Sequence, residues 1–138
     1  MGTEASANDE WIELFNPNTV SIDLSGWKVL IAGDNTIILT DSVAPGGYYL
    51  LERTNNDPVS DISGDYTGSF GRYGLNDTGE HLTLVDGSGA VIDEVDCINS
   101  WYAGLKDKGL KTTMERIDPT KSGNSPSNWA SNDGVTVN

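Results

Sequence analysis

The sequence predicts an all-β fold, an antiparallel β-sandwich. Short apolar or alternating segments are separated by turn residues about every 8–12 residues, which is typical of a sandwich. Sixteen Gly and five Pro in 138 residues supply many turns. No segment has a convincing helical pattern: residues 102–108 could form one helical turn, and Gly104 weakens it because glycine disfavours helix.

The strongest predicted strand lies in residues 10–17, Glu-Trp-Ile-Glu-Leu-Phe-Asn-Pro. Successive side chains of a strand point to opposite faces, and here both faces would carry large apolar residues, for example Trp11 on one and Ile12 on the other. This pattern predicts a central strand covered on both faces. The strand ends at Pro17, since proline cannot donate a hydrogen bond to a neighbouring strand.

Seven further strands are predicted in the rest of the chain, at residues 20–24, 27–32, 36–40, 48–52, 80–85, 90–96 and 112–117. Gly33-Asp34-Asn35 and Asp86-Gly-Ser-Gly89 predict hairpin turns, and residues 43–47 a further turn. Residues 53–69 form the longest connection, where function or insertion is expected. Trp129 is expected to fold back onto the sandwich as an anchor.

The length fits one domain with a core of its own. We expect a flexible segment at residues 1–9, the sandwich at 10–130 and a tail at 131–138. The composition is that of a soluble globular protein, and no apolar run approaches the ~20 residues of a membrane span. Residues 1–9 do not resemble a signal peptide.

The formal net charge is −13, and it is unevenly distributed. Residues 101–138 carry five basic and four acidic side chains, so the excess acidity lies in the first 100 residues. Such a surface repels nucleic-acid phosphates and anionic lipids, so no nucleic-acid partner is expected. It is compatible with a plain solvated face, cation-rich surroundings or a basic partner.

The residues capable of catalysis have simpler structural interpretations. Cys97, the one cysteine, cannot form an internal disulfide and is predicted to be a half-buried structural thiol. His81, the one histidine, is predicted to be structural or on the surface. Glu10 and Glu13 should lie on opposite faces of their strand, which disfavours shared acid–base chemistry. Glu13 is expected to cap a turn or to pair with Arg116.

Six motifs, taken in order, resemble the lamin tail domain of bacterial type. They are Glu10–Pro17, Asp23–Trp27, Pro45–Leu50, Leu75–Leu82, Asp86–Asp93, and Met114–Arg116 together with Asn128-Trp129. The resemblance implies an immunoglobulin-like β-sandwich without catalytic residues. The family usually has a further strand before the first motif; without it, an exposed sheet edge would invite self-association.

The resemblance further implies a non-enzymatic binding or structural accessory module of an exported or cell-surface protein, interacting with another protein or an envelope or matrix component. Two alternatives are open. One is a nucleic-acid-associating, lamin-like tail, for which only the basic residues from Lys106 to Lys121 would be available. The other is a calcium-dependent adhesion module.

Two groups of residues are candidate sites. Trp101 and Tyr102 form an aromatic pair in a loop that could stack on a sugar or a protein partner, or fold into the end of the sandwich. Asp57, Asp61 and Asp65 lie in the long connection, and calcium takes such oxygen ligands. Their spacing does not match an EF-hand, and no other cofactor is expected.

Overall fold

The computed structural model describes residues 6–31, 35–55, 58–59, 62–107, 109 and 111–132. Its elements are β1 (Trp11–Phe15), β2 (Ile22–Asp23), β3 (Lys28–Ile31), β4 (Asn35–Ile38), β5 (Ser42–Val43), β6 (Tyr48–Arg53), β7 (Tyr66–Gly68), β8 (His81–Val85), β9 (Val91–Asp96), β10 (Met114–Arg116), a 3-10 helix (Pro126–Asn128) and β11 (Trp129–Ser131). The predicted all-β fold is confirmed.

One layer of the sandwich is a three-stranded sheet with the order β1-β6-β7. Strands β1 and β6 are antiparallel, whereas β6 and β7 are parallel. The strand buried on both faces is β6, in which the four residues Tyr49 to Glu52 are buried in succession. The prediction that residues 10–17 contain a central strand is therefore wrong: among the described strands, β1 lies at the end of this sheet, and Phe15 remains 39% exposed.

The second layer is an antiparallel sheet with the order β4-β3-β8-β9. The β8–β9 hairpin turns at Asp86, whose carboxylate accepts hydrogen bonds from the backbone N–H groups of Ser88 (2.8 Å) and Ala90 (3.0 Å). A hydrogen bond from the Ser88 hydroxyl, together with the bonds from these backbone amides, holds the pKa of Asp86 below its ordinary value. Both predicted hairpins join paired strands, although Gly33 and Asp34 lie outside the described residues.

Two short antiparallel pairs complete the described architecture, β2 with β5 and β10 with β11. Trp129 is half-buried, pairs with Arg116 across β10–β11, and donates its indole N–H to the Gly123 carbonyl at 2.8 Å. Its role as an anchor on the sandwich stays a prediction. Strand β11 runs to Ser131, one residue past the predicted end of the domain. Strands β5, β7 and β11 do not correspond to any predicted strand.

The core lies between the two larger sheets. Tyr49 and Leu51 of β6 meet Val29 and Ile31 of β3 there, and Ile12, Leu14, Trp27 and Trp101 pack at its margin. Phe70 is fully buried in the same cluster. Burying side chains of this size contributes about 1.5–3 kcal/mol each, so this cluster is the main source of stability.

Two buried carboxylates fix the neighbourhood of the three-stranded sheet. The Glu52 side chain accepts hydrogen bonds from the backbone N–H groups of Val59 (2.9 Å) and Gly64 (3.1 Å), and the residue is 0% exposed. Glu10 accepts from the Arg53 guanidinium at 3.0 Å and from the Leu75 N–H at 2.9 Å. A buried carboxylate needs such partners. These contacts therefore hold the segments that contain Val59, Gly64 and Leu75 against the three-stranded sheet.

Candidate interaction surface

The outer edge of β1 carries backbone groups that face away from its own sheet. The Arg53 N–H donates to the Glu10 carbonyl and the Asn16 N–H donates to the Gly47 carbonyl, both at 2.9 Å. In antiparallel pairing the bonded positions alternate, so the N–H and C=O groups of Trp11, Glu13 and Phe15 point outward. Within the described part of the chain, no strand pairs with that side of β1.

An exposed aromatic pair lies at one end of this edge. Phe15 of β1 is directly opposite Tyr48 of β6 in the register, and their ring centroids are 4.9 Å apart. The two residues are 39% and 51% exposed. Such a ring pair stabilises the strand pairing and at the same time presents apolar surface with a hydroxyl at its tip, a composition enriched in protein interfaces.

A pair of carboxylates lies beside the edge. Burial raises the pKa of Glu13 above its ordinary value of 4.5, and the charge of Glu115 on β10 raises it further. The expected pairing of Glu13 with Arg116 is wrong. Arg116 is drawn to β9 instead, where its guanidinium bonds the Asp93 carboxylate at 2.7 Å while stacking 5.0 Å from the Trp129 ring. The charge of Glu115, which acts on the Glu13 carboxylate, is therefore of the same sign and is not offset by Arg116.

A family model described as Lamin Tail Domain matches residues 1–99, which is more than half of the chain. The chain belongs to the lamin tail domain family. A comparison with curated proteins finds no match. The predicted family and the immunoglobulin-like sandwich are both confirmed, and membership in this family is compatible with a binding module.

The predicted aromatic site of this lamin tail domain takes part in the fold. Trp101 packs against the core cluster, and its indole N–H donates to the Asn76 carbonyl at 2.9 Å. The Tyr102 hydroxyl donates to the Asp96 carbonyl at 2.6 Å. Both residues are half-buried, so each ring keeps some exposed surface. A binding role for the two side chains remains a prediction.

Of the three predicted calcium ligands, Asp57 and Asp61 lie outside the described residues. Asp65 is exposed, and it pairs with Leu50 on β6: its carboxylate accepts the Leu50 N–H at 2.8 Å, and its own N–H donates to the Leu50 carbonyl at 2.9 Å. One carboxylate oxygen of Asp65 thus already has a structural partner. Among the described residues there is no group of three or more His, Cys, Asp or Glu side chains that could hold a metal ion.

His81 and Cys97 occupy structural positions in the lamin tail domain. The His81 Nε2 lies 3.3 Å from the Glu94 carboxylate on the neighbouring strand β9, and Glu94 also accepts from the Asn124 amide at 2.7 Å. Cys97 is 1% exposed, and burial raises the pKa of its thiol. A thiol of raised pKa is a poor nucleophile near neutral pH, because little of it is thiolate.

Two of the basic residues from 106 to 121 are paired with carboxylates in the described part of the chain. Lys121 lies 3.2 Å from the Asp118 carboxylate, and Arg116 is paired with Asp93. Lys108 lies outside the described residues.

In the part of the chain that is described, none of the helices has the length and apolar character needed to cross a membrane.

Sequence reasoning missed Tyr48 and Glu115 as members of this surface. The signal for Tyr48 lies in the pairing of two predicted strands, because the register that joins residues 11–15 to 48–52 places the two aromatic residues opposite each other. The electrostatic interaction of Glu115 with Glu13 has no local signal, because the two residues lie about 100 positions apart in the chain.

Proposed function

We propose that this lamin tail domain is a non-enzymatic binding module of an exported or cell-surface protein, and that it holds another protein or an envelope component. The observation that carries the proposal is the exposed Phe15–Tyr48 pair beside the outward edge of β1. A row of outward backbone groups next to exposed rings suits recognition of an extended polypeptide, in which main-chain hydrogen bonds supply affinity and side chains supply specificity. The exported or surface location follows from the resemblance to bacterial lamin tail domains.

The positions of the reactive side chains support a binding role over catalysis. The Cys97 thiol is buried, and Glu10 and Glu52 are occupied by backbone or guanidinium donors. His81 makes its contacts with Glu94 and Thr83 on the outer side of β8 and β9. Each of these groups has a partner that belongs to the fold.

The proposal is tested by selecting peptides from a random display library on the immobilised domain. Wild type should enrich a family of related extended sequences. The double variant Phe15→Ser/Tyr48→Ser should lose their binding by at least about tenfold, since well-packed aromatic anchors contribute about 1–2 kcal/mol or more each. Urea unfolding of both proteins controls for stability. Binding by the double variant equal to that of wild type would contradict the proposal, as would a selection that enriches nothing.

The predicted aromatic site and calcium site are tested on the same protein. Trp101→Ala with Tyr102→Phe addresses the first, since the second change removes only the hydroxyl that bonds Asp96. For calcium, the melting temperature should rise with added calcium and return with chelator, because a ligand that binds only the folded state stabilises it. An unchanged melting temperature would contradict a calcium-dependent adhesion module.

A further inference from the structure

We propose that the outward edge of β1 binds an extended basic segment of another protein by strand addition, with a lysine or arginine side chain placed beside Glu13 and Glu115. The inference rests on the proposed binding function and specifies its site and the chemistry of the partner. The three residues that supply the edge are Trp11, Glu13 and Phe15.

The first support is the backbone. Strand β1 pairs with β6 through its even-numbered residues, so the odd-numbered residues direct one N–H and one C=O each to the opposite side. Three such residues span about 13 Å of strand, enough for a four- or five-residue partner. Unpaired edges of this kind pair readily with other chains, and proteins usually protect them. In the described residues, β10 pairs with β11 and does not join this sheet.

The second support is the unbalanced charge beside the edge. Among the described residues, no hydrogen-bond donor or cation contacts the Glu13 carboxylate, and the neighbouring charge is Glu115. The partners of Glu115 are neutral, the Thr113 hydroxyl and the Asn132 amide. A basic side chain from a partner beside Glu13 would offset this like-charge repulsion, and a partly desolvated, charge-assisted hydrogen bond is stronger than one in open water.

Charge also selects among the possible occupants. A second copy that paired in the full register, residue 11 opposite 15, would place Glu13 opposite Glu13 of that copy. Like charges directly opposite each other destabilise strand pairs, and each chain carries a formal net charge of −13. Nucleic acid meets the same repulsion. A basic polypeptide is the occupant whose charge complements this edge.

The recognition pattern expected of the partner follows from the strand period. A residue beside Glu13 should be Lys or Arg. Its neighbours two positions away lie on the same face, near Trp11 on one side and the Phe15–Tyr48 rings on the other, and should be apolar or aromatic. The intervening residues point to the opposite face and are less restricted.

The experiment uses the peptides selected on the wild-type domain, labelled with fluorescein and measured by anisotropy. Glu13→Gln should weaken a selected peptide about five- to tenfold, and replacing its central Lys or Arg by Gln should produce a similar loss. Combining the two changes should cost little more than either one, because both remove the same contact. Glu80→Gln, a change of equal charge on another part of the chain, is the matched control and should leave affinity unchanged.

Backbone pairing is tested separately by N-methylation of the peptide. Methylation at the alternate positions that face β1 should abolish binding, whereas methylation at the intervening positions should leave it within about threefold. Equal effects at all positions, or affinity independent of Glu13, would overturn the inference while leaving the proposed binding function intact. If peptide binding fails also for the wild type, the proposed function falls with it. A concentration-dependent dimer in light scattering that Glu13→Gln strengthens would instead assign the edge to a second copy and overturn the basic partner.

Discussion

Replacing Glu52 should destabilise the domain more than any other single carboxylate change on the three-stranded sheet. The side chain is fully buried in β6, and its two oxygens accept the N–H groups of Val59 and Gly64. Glu52→Ala removes both acceptors at once. Glu52→Gln retains the shape and one carbonyl oxygen, but it directs an amide NH₂ group toward one of the two donors.

The expected magnitude follows from the number of stranded donors. A fully buried N–H that loses its partner costs about 1–3 kcal/mol. Val59 and Gly64 are only partly buried, so each loss should lie toward the lower end of this range. Glu52→Ala should therefore lower the free energy of unfolding by roughly 2–4 kcal/mol and Glu52→Gln by about half of that, a large share of the ~5–15 kcal/mol of a typical domain. Gly64 lies so close to this side chain that a Cβ atom added to it would be 2.6 Å from the Glu52 carboxylate.

Urea unfolding followed by tryptophan fluorescence measures the effect. The dependence of the unfolding free energy on urea concentration should be the same for variant and wild type. The matched control is Glu13→Gln, the same substitution on the adjacent strand β1, where Glu13 is exposed and stability should not fall. Faster hydrogen exchange at the amides of Val59 and Gly64 should accompany the loss. A change below about 1 kcal/mol for Glu52→Ala would refute the account of this carboxylate as the buried anchor of the connection after β6.

Three further predictions concern single groups. Because the pKa of Glu13 is raised, the native state holds this proton more tightly than the unfolded state, and wild type should lose stability as pH rises from 4.5 through the raised value. The Glu13→Gln variant lacks this proton, so it should be more stable than wild type by ~0.5 kcal/mol at neutral pH and equally stable in acid. A difference in stability that does not change with pH would contradict the raised pKa. Gly79 has φ +122°, so Gly79→Ala should cost about 1–2 kcal/mol of backbone strain, and about 1–3 kcal/mol more because the new Cβ would overlap the Cys97 carbonyl. Gly89 has φ +89° and open space around it, so Gly89→Ala should show the backbone strain alone. Equal denaturation midpoints for the two variants would rule out the overlap at Gly79. The Cys97 thiol should react with a disulfide reagent only as fast as the domain opens, since it is buried and its pKa is raised, so immediate reaction in native buffer would be the contrary result.

Most of the strands could be predicted because their signals are local. Asp86-Gly-Ser-Gly89 encodes its own hairpin through the Asp86 carboxylate, and the paired strands 81–85 and 91–96 match the predicted segments closely. The short strands β5 and β7 were missed because they have only two and three residues and are defined by a partner rather than by a pattern. Their pairing with β2 and β6 is a property of the tertiary fold.

The position of β1 at the end of its sheet could not be predicted from its composition. Only the resemblance, through the strand that usually precedes the first motif, points to an exposed sheet edge. Large residues on both faces of a strand indicate burial on both faces only when a second layer covers each one. Here Ile12 and Leu14 face the core, whereas Phe15 is covered mainly by Tyr48. The candidate surface follows from this tertiary arrangement: neither the outward row of backbone groups nor the electrostatic interaction of Glu115 with Glu13 has a signature in the local sequence.

Hydrogen exchange of individual backbone amides, with and without a selected basic peptide, shows which side of β1 a partner occupies. Strand addition should slow exchange at Trp11, Glu13 and Phe15, whose amides point outward, and should change little at Ile12 and Leu14, whose amides already face β6. Protection confined to the Trp101-Tyr102 loop, or spread over even and odd residues of β1 alike, would contradict strand addition at this edge.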